Sequence, residues 1–382
     1  MGKGCNDRGF GYRHVESQGF GKHGHNVSEA PTSNKVDKGP VLLLSPGFSD
    51  WLASTDVCVA LTTYQAGRLF FIGRRDDGGV RAHERIIEQC QGLWTDGQTL
   101  WTSGLYMLWR FENVLRNGET TQTGADRKFV PLEGRVVGRI DTHDIGVGDV
   151  DGARRPIFVN TLYCCLATIS DTASFRPLWR PKFISALVPE DRCHLNGLAM
   201  DGTRPAFVTA VSRSDVADGW RDRRQDGGIV IDVASSEIVA SGFSMPHSPR
   251  LYDGRLWLLN SGAGEFGVVD PIDGTFTPVC FCPGYARGLA FIGRYAVIGL
   301  SRPRHSQIFG LALDDRLSAK DAVARCGLLI VDIDNGNAVE WLRFEHTIDE
   351  LYDVAVLPHV RAAEALGFKS EEIQREITVA QM

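Results

Sequence analysis

The sequence lacks the patterns that would place the protein in a membrane, in a secretory pathway or on nucleic acid. No apolar run in its 382 residues is long enough to span a bilayer. The N-terminus has no apolar core of a secretory signal. The net charge of −6 does not indicate the basic face that nucleic acid requires. These absences predict a cytoplasmic protein without membrane or nucleic-acid partners, and they leave its oligomeric state open.

Patterns of covalent cross-linking and of familiar catalysis are missing too. The nine cysteines show no Cys-X-X-Cys spacing, and an odd number does not indicate a disulfide framework. We therefore expect reduced, mostly buried thiols. The sequence contains no Gly-X-Ser-X-Gly, phosphate-binding loop, dinucleotide fingerprint or His-Glu-X-X-His. Its composition, 43% hydrophobic and 23% charged, is nevertheless that of a globular protein with an ample core.

What the sequence does contain is a short motif that recurs six times. The most complete copy runs from Cys193 to Gly202 and consists of a polar pair, a short apolar strand and an Asp-Gly turn. The copies start about 40 to 65 residues apart, a spacing typical of repeat architectures that has propeller blades at its short end. The first residues of the six copies are Gln91, His143, Asn196, His247, Arg287 and Tyr352.

The strands around these copies predict the fold. Further strand-like runs follow most copies, which indicates four-stranded antiparallel blades. The last copy has no outer strands, whereas three strand-like runs at 57–87 precede the first copy. We therefore predict an all-β fold, a six-bladed β-propeller closed by N-terminal strands that complete the C-terminal blade. The propeller is expected at 41–360, between a disordered Gly/His-rich tail at 1–40 and a helical tail at 361–382.

Three histidines are predicted to meet at one mouth of the propeller channel. Side chains alternate faces along a strand, so His194 and Asn196 can point the same way. This would bring His194 together with His143 and His247. Three neutral imidazoles suit a transition metal, and a catalytic metal keeps an open position for water or substrate. Copper or iron is favoured as the cofactor, with zinc or manganese as further choices.

The other repeat positions receive roles around this metal. Tyr352 or Asp353 is predicted to act as acid or base, and Arg287 is predicted to bind an anion. Asp144 and Asp353 are predicted to accept hydrogen bonds that fix the histidine tautomers. Three residues are predicted to bind substrate: Gln91, Asn196 and Trp220.

Longer motifs resemble a bacterial family of conserved hypothetical proteins with no assigned function. They are Asp141-Thr142-His143-Asp144-Ile145, Cys193-His194-Leu195-Asn196-Gly197-Leu198, Ser244-Met245-Pro246-His247-Ser248-Pro249-Arg250, Trp257-Leu258-Leu259-Asn260-Ser261-Gly262 and Glu350-Leu351-Tyr352-Asp353-Val354. The resemblance covers roughly residues 45 to 375 and implies that the motifs form one unit, but it supplies no catalytic residues. The architecture is more distantly similar to propeller enzymes that hold a metal with histidines, namely carotenoid oxygenases, copper-dependent thiol oxidases and some polysaccharide lyases.

We expect a metal-dependent enzyme, in the first instance an oxidoreductase that uses copper or iron on a peptide or a small metabolite. One alternative is a metal-dependent lyase or hydrolase, in which the metal acts as a Lewis acid. Another is a propeller without catalytic activity that binds a partner on one face. For the histidines themselves, a metal-free polar site and purely structural plugs also remain open.

Overall fold

The computed structural model describes residues 41–302 and 310–379. These residues form six antiparallel β-blades, and the inner strands of successive blades contact one another in a closed ring. The predicted six-bladed β-propeller is therefore confirmed. The predicted disordered tail at 1–40 lies outside the described residues.

Four strands make up each blade, in order from the channel outwards. Blade 1 consists of Leu93–Thr95, Thr99–Gly104, Met107–Asn113 and Arg127–Val136. Blade 2 consists of Thr142–Val150, Ala153–Asn160, Cys165–Thr168 and Arg176–Trp179. Blade 3 consists of Leu195–Asp201, Arg204–Ala210, Gly228–Asp232 and Ile238–Phe243. Blade 4 consists of Pro246–Tyr252, Arg255–Asn260, Glu265–Val269 and Phe276–Phe281. Blade 5 consists of Tyr285–Ile292, Tyr295–Ser301, Gly327–Asp332 and Ala338–Glu345. Blade 6 consists of Val354–Pro358, Val57–Thr63, Arg68–Arg74 and Val80–Ile86.

Blade 6 closes the ring with strands from both ends of the propeller. Its inner strand, Val354–Pro358, pairs antiparallel with Val57–Thr63, and Ala60 lies opposite Ala355. Every residue of Val57–Thr63 is buried, which is why this run is apolar at nearly every position instead of alternating. The predicted closure by N-terminal strands is confirmed.

Two short strands extend the closure beyond the four-stranded blades. Val41–Leu44 pairs antiparallel with residues 342–345 and adds a fifth strand to the outer edge of blade 5. Ala363–Ala365 pairs in parallel with residues 127–129 on the outer edge of blade 1. Each of these strands covers a sheet edge that would otherwise expose unpaired backbone groups.

The predicted helical tail is wrong for the part of it that the structure describes. Ala363–Ala365 is a strand, and the single helical turn between residues 361 and 379 is the 3-10 helix Glu371–Gln374. Ala363 and Ala365 are buried in a hydrophobic cluster with Phe129 and Leu357. This tertiary contact outweighs the helix propensity of Ala and Glu.

Helices are few in the described part of the chain. Its two α-helices are Phe48–Thr55 and Ala312–Ala319, and its other 3-10 helices are Arg221–Arg223 and Ser261–Ala263. Within the described ranges, no helix has the length and apolar character needed to cross a membrane. The eight cysteines of these ranges are free, and all except Cys280 are buried, as expected.

Hydroxyl groups connect neighbouring blades near the start of each inner strand. In five blades a Ser or Thr at the end of the second strand donates a hydrogen bond to a backbone carbonyl of the next blade. The bonds are Thr62 to Gln91 (2.5 Å), Ser103 to Thr142 (3.3 Å), Thr161 to Leu195 (2.6 Å), Ser261 to Ala286 (2.6 Å) and Ser301 to Leu351 (2.9 Å). These bonds fix the mouth of the channel where the repeat positions lie.

Candidate functional site

A cavity of about 230 Å³ lies where the inner strands begin. It is lined by Tyr64, Gln91, Asp141, His143, Asp191, His194, Trp220, Arg221, Met245, Arg287, Glu350 and Tyr352. Six of the nine predicted site residues are in this set, namely Gln91, His143, His194, Trp220, Arg287 and Tyr352. The other three, Asn196, His247 and Asp353, are buried outside the cavity lining.

His143 is a neutral imidazole with a fixed tautomer. Its Nδ1 lies 2.7 Å from Thr161 Oγ1. The Thr161 hydroxyl donates its only hydrogen to the Leu195 carbonyl, so it must accept a hydrogen bond from His143, and Nδ1 carries the proton. Burial lowers the pKa of His143 to about 4. Its Nε2 is therefore an unprotonated base in a ring that lines the cavity.

His247 repeats this arrangement two blades further on, with one difference. Its Nδ1 lies 3.2 Å from Ser261 Oγ, whose own hydrogen is donated to a carbonyl of the next blade. Its Nε2, however, lies 3.3 Å from Asn196 Nδ2. The Thr209 hydroxyl donates to Asn196 Oδ1 and thereby orients the amide, so Nδ2 is the donor to His247. Both nitrogens of His247 are consequently engaged, and Asn196 positions this ring instead of binding substrate.

His194 is hydrogen-bonded to a buried carboxylate. It precedes its strand with a left-handed φ of 51°, so strand alternation does not set its direction as predicted. Its Nδ1 lies 2.8 Å from Asp191 Oδ2, which also accepts the Trp220 indole N–H at 2.8 Å. The imidazole stacks on Trp220 with 4.1 Å between the ring centroids. Burial alone would lower the pKa of His194, but the Asp191 carboxylate reverses this and raises the pKa above its ordinary value.

Arg287 provides a permanent positive charge. Its Cζ lies 5.2 Å from the centroid of Tyr285 and 4.9 Å from that of Tyr352. Its Nη1 lies 3.1 Å from Glu350 Oε1. Burial opposes the charge, but the surrounding tyrosine and glutamate oxygens raise the pKa of the guanidinium. Burial also raises the pKa of Tyr352 well above its ordinary value, so Tyr352 is a neutral phenol beside this cation.

Asp141 and Asp191 are two of the six lining residues that sequence reasoning missed; the others are Tyr64, Arg221, Met245 and Glu350. Asp141 Oδ1 accepts a hydrogen bond from Gln91 Nε2, which also lies 3.2 Å from the Tyr352 hydroxyl. Asp141 and Asp191 both have left-handed backbone conformations, with φ of 57° and 44°. Each precedes a cavity histidine by two or three residues, so an Asp just upstream of the motif histidine was the available signal.

Below the repeat positions, an ion cluster closes the channel. Arg250 Nη1 lies 2.7 Å from Asp144 Oδ2, its Nη2 lies 3.2 Å from Asp144 Oδ1, and Nη2 lies 3.6 Å from Asp353 Oδ1. The two carboxylates accept backbone N–H bonds from Leu198 and Leu93. Burial, together with the charge of Asp144, raises the pKa of Asp353 to about 7. Arg250 Nε also donates a hydrogen bond to the backbone carbonyl of residue 289. With this bond, the cluster has contacts to the inner strands of all six blades.

This cluster corrects the predicted role of two aspartates. Among the described residues, the polar partners of Asp144 and Asp353 are Arg250 and backbone amides, and neither carboxylate contacts a histidine. Thr161 and Ser261 fix the histidine tautomers instead. Asp353 also does not line the cavity, so its predicted role as acid or base has no geometric support.

At the position after each motif's first residue, glycine alternates around the ring with a polar side chain, either Asp or Ser. In order, these positions hold Gly92, Asp144, Gly197, Ser248, Gly288 and Asp353. Each polar member accepts an N–H from the inner strand of the next blade: Asp144 from Leu198, Ser248 from Gly288 and Asp353 from Leu93. The glycines allow this approach, since a Cβ on Gly288 would lie 2.6 Å from the Val354 nitrogen.

The three predicted ligands come close together but do not fit a three-histidine metal centre. The His143 ring lies 4.8 Å from His194 and 6.4 Å from His247, measured between centroids. However, both ring nitrogens of His247 are engaged, because its Nε2 accepts the Asn196 amide and its Nδ1 is bonded to Met245 and Ser261. Among the described residues, only His143 and His194 therefore keep a ring nitrogen, Nε2 in each case, without a protein partner. In the part of the chain that the structure describes, no group of three or more His, Cys, Asp or Glu side chains is arranged to hold a metal ion.

The fold and the site together define the protein as a six-bladed β-propeller with a small polar cavity at one mouth. The chain belongs to the family described as a domain of unknown function, DUF4915, whose family model matches residues 46–366. This match confirms the resemblance to a family without an assigned function.

Two solved structures are similar to the chain. One is a chain of a nidogen/laminin complex, with a TM-score of 0.49 and 11% identity, covering 79% of this chain and 99% of that one. The other is a protein of unknown function from Bacteroides caccae, with a TM-score of 0.45 and 11% identity, covering 78% and 98% respectively. Comparison with curated proteins finds no match.

Proposed function

We propose that the protein is an enzyme that moves protons on a small polar metabolite, with His143 as the base, His194 as the acid and Arg287 as the group that binds negative charge. One observation carries the proposal. Two imidazoles 4.8 Å apart have environments that shift their pKa values in opposite directions, below and above the ordinary value. Such separation of neighbouring titratable groups is the usual way in which an acid and a base are set up in one site.

The proposed chemistry uses the ring nitrogens that the protein does not occupy. His143 Nε2 accepts a proton from the substrate, while its Nδ1 keeps its own proton and donates it in a hydrogen bond to Thr161. His194 donates its Nε2 proton to the atom that gains electrons, while its Nδ1 keeps its own proton and donates it in a hydrogen bond to Asp191. Arg287 stabilises the negative charge that develops between the two steps. Proton removal at one position and delivery at another corresponds to an isomerisation or an elimination.

The size of the cavity limits the substrate. A volume of about 230 Å³ is below the roughly 300–1,000 Å³ of sites for drug-sized ligands. A small metabolite fits this volume, whereas a peptide would enter only with one terminal residue. The cytoplasmic location inferred from the sequence stays a prediction.

A metal-dependent enzyme, either the copper or iron oxidoreductase or the lyase or hydrolase, stays the second candidate. The observation that favours it is the free Nε2 of His143, close to two further imidazoles. The proton-transfer proposal needs no metal, because acid, base and cation are all side chains of this chain. The non-catalytic scaffold also stays a prediction, and it gives no reason for a neutral and a charged imidazole in one cavity.

Metal analysis separates these candidates. We expect protein purified from cells supplemented with copper, iron, zinc and manganese to hold far less than one equivalent after dialysis. His143→Ala should not change this content. Near-stoichiometric metal that is lost in both His143→Ala and His194→Ala would favour the metal-dependent enzyme. His359→Ala is the matched control, because the side chain of His359 is 87% exposed and lies outside the cavity.

A further inference from the structure

We propose that the ligand of this cavity is a small zwitterion whose carboxylate binds Arg287 and whose ammonium group binds Asp141. The proposal rests on the proposed function, because it assigns a substrate class to the same cavity.

The balance of charge on the cavity walls leads to this proposal. Three cations of the lining each have a carboxylate partner. Arg287 lies 3.1 Å from Glu350, His194 lies 2.8 Å from Asp191, and Arg221 lies 3.0 Å from Asp218. Asp141 differs, since its nearest polar partners are the uncharged Gln91 amide and the neutral imidazole of His143. Among the described residues, Asp141 is therefore the lining carboxylate that has neither an arginine nor His194 within ion-pair distance, although the charges of Arg287 and His194 act on it from further away.

Asp141 is accessible from the mouth of the cavity. Its side chain is 43% exposed, whereas the His143 side chain is 4% exposed. A cation that enters the mouth can thus reach this carboxylate without displacing a protein partner.

The cavity wall near Asp141 also suits an ammonium group. Tyr64 and Tyr352 line it with 5.9 Å between their ring centroids. The faces of such rings attract cations. A purely anionic ligand would meet the unpaired charge of Asp141, whereas a zwitterion neutralises it and still offers a carboxylate to Arg287.

The two charges are close enough for one small molecule. The Tyr352 ring lies 4.9 Å from Arg287 Cζ, and the Tyr352 hydroxyl lies 3.2 Å from Gln91 Nε2, which also binds Asp141. Arg287 and Asp141 are therefore separated by a single phenol and an amide. One amino acid can therefore contact both groups, and a series with different separations of ammonium and carboxylate measures the spacing.

A ligand series tests the proposal. The probes are the protein amino acids, glycine included, and the ω-amino acids β-alanine, 4-aminobutyrate and 5-aminovalerate. They are screened at millimolar concentration by thermal shift, and binders are then measured by calorimetry. We expect at least one zwitterion to bind. Its N-acetyl derivative and its methyl ester should each bind about tenfold more weakly or worse, because each loses a charge-assisted hydrogen bond.

Two variants assign the charged groups. Asp141→Asn should weaken binding of the free amino acid and of its methyl ester, but not of the N-acetyl derivative. Arg287→Gln should weaken binding of the free amino acid and of the N-acetyl derivative, but not of the ester. If Arg287→Gln does not fold, the two derivatives on the wild type still test both contacts.

The contradicting results are distinct. If the N-acetyl derivative binds as tightly as the free amino acid, the ammonium contact is wrong, while the anion site of the proposed function stands. If no zwitterion in the series binds, the substrate class proposed here is wrong. The acid and base of the proposed function are then tested separately by titration of His143 and His194.

Discussion

Arg250→Met should destabilise the protein by about 3–5 kcal/mol at alkaline pH, the usual cost of removing one partner from a buried ion pair. The substitution leaves Asp144 and Asp353 buried without their cation, at a point where all six inner strands meet. Both carboxylates are almost fully buried, at 3% and 2% exposed. Urea unfolding followed by tryptophan fluorescence measures the loss.

The loss should shrink as the pH falls. With Arg250 present, the pKa of Asp353 is already raised to about 7, and Arg250 is a group that lowers it. Its removal raises the pKa of Asp353 further. A carboxyl with a raised folded-state pKa destabilises the fold when it ionises, so its favourable contribution is full below the unfolded pKa and is lost as the pH rises through the folded one. Arg250→Met should therefore cost less near pH 5 than near pH 8.

Arg294→Met is the control with a half-exposed arginine. Arg294 makes a similar two-point contact with Asp332, at 3.1 Å and 2.7 Å. The Arg294 side chain is 50% exposed, compared with 21% for Arg250, although its partner Asp332 is only 9% exposed. Because water screens the arginine, we expect a clearly smaller loss than for Arg250→Met. Equal losses for the two variants at pH 8 would show that burial does not set the stability of the channel cluster.

Gly288→Ala should cost about 2–5 kcal/mol, from two terms. The left-handed φ of 76° costs an alanine about 1–2 kcal/mol. The added Cβ would also lie 2.6 Å from the Val354 nitrogen and 2.8 Å from Asp353 Cα, so the inner strands of blades 5 and 6 must separate, at about 1–3 kcal/mol. The same urea experiment measures the sum.

Gly152→Ala isolates the first term. Gly152 has nearly the same φ, 77°, but an added Cβ would have no neighbour within 4 Å. We expect it to cost about 1–2 kcal/mol. If Gly152→Ala and Gly288→Ala are equally destabilising, the close approach of the inner strands does not limit the residue at 288.

The fold could be predicted from the sequence because its signals are local and repeated. An apolar run that follows a polar residue marks an inner strand, and six such runs occur, four of which end at Asp-Gly. The three strands at 57–87 have no inner strand of their own, and the strand after Tyr352 has no outer strands. Together they form blade 6. The helical tail failed because Ala363 and Ala365 read as helix formers, whereas their burial beside Phe129 decides their conformation.

The site was predictable only as a ring of positions. Gln91, His143, Arg287 and Tyr352 line the cavity because equivalent strand ends converge. Asn196 and His247 occupy equivalent positions on neighbouring blades, but they form a hydrogen bond with each other, which no local pattern reveals. Histidine tautomers depend on distant hydroxyl groups in the same way.

The aspartates of the cavity were missed for a different reason. Asp141 and Asp191 precede the strands in left-handed conformations, where the alternation of strand side chains does not apply. The alternation of glycine with Asp or Ser at the second repeat position, by contrast, is visible in the sequence. Its meaning follows from the structure, in which the Asp or Ser side chain of one inner strand accepts a backbone N–H from the inner strand of the next blade.

Titration of the two cavity imidazoles by NMR, with carbon-13 labelled histidine, tests the central claim most directly. His143→Gln and His194→Gln assign the signals, and Asp191→Asn tests the cause. We predict that His143 titrates near pH 4 and His194 above its ordinary pKa of about 6.5. In Asp191→Asn, the pKa of His194 should fall, since burial then acts without the carboxylate.

The same raised pKa gives a stability signature. The pair of His194 and Asp191 should stabilise the fold fully below the unfolded-state pKa of about 6.5, and this stabilisation should disappear as the pH rises through the folded-state value. The stability difference between wild type and Asp191→Asn should therefore shrink at alkaline pH. If His143 and His194 titrate together near 6.5, or if Asp191→Asn leaves His194 unchanged, the cavity does not hold an acid and a base, and the proposed function is wrong.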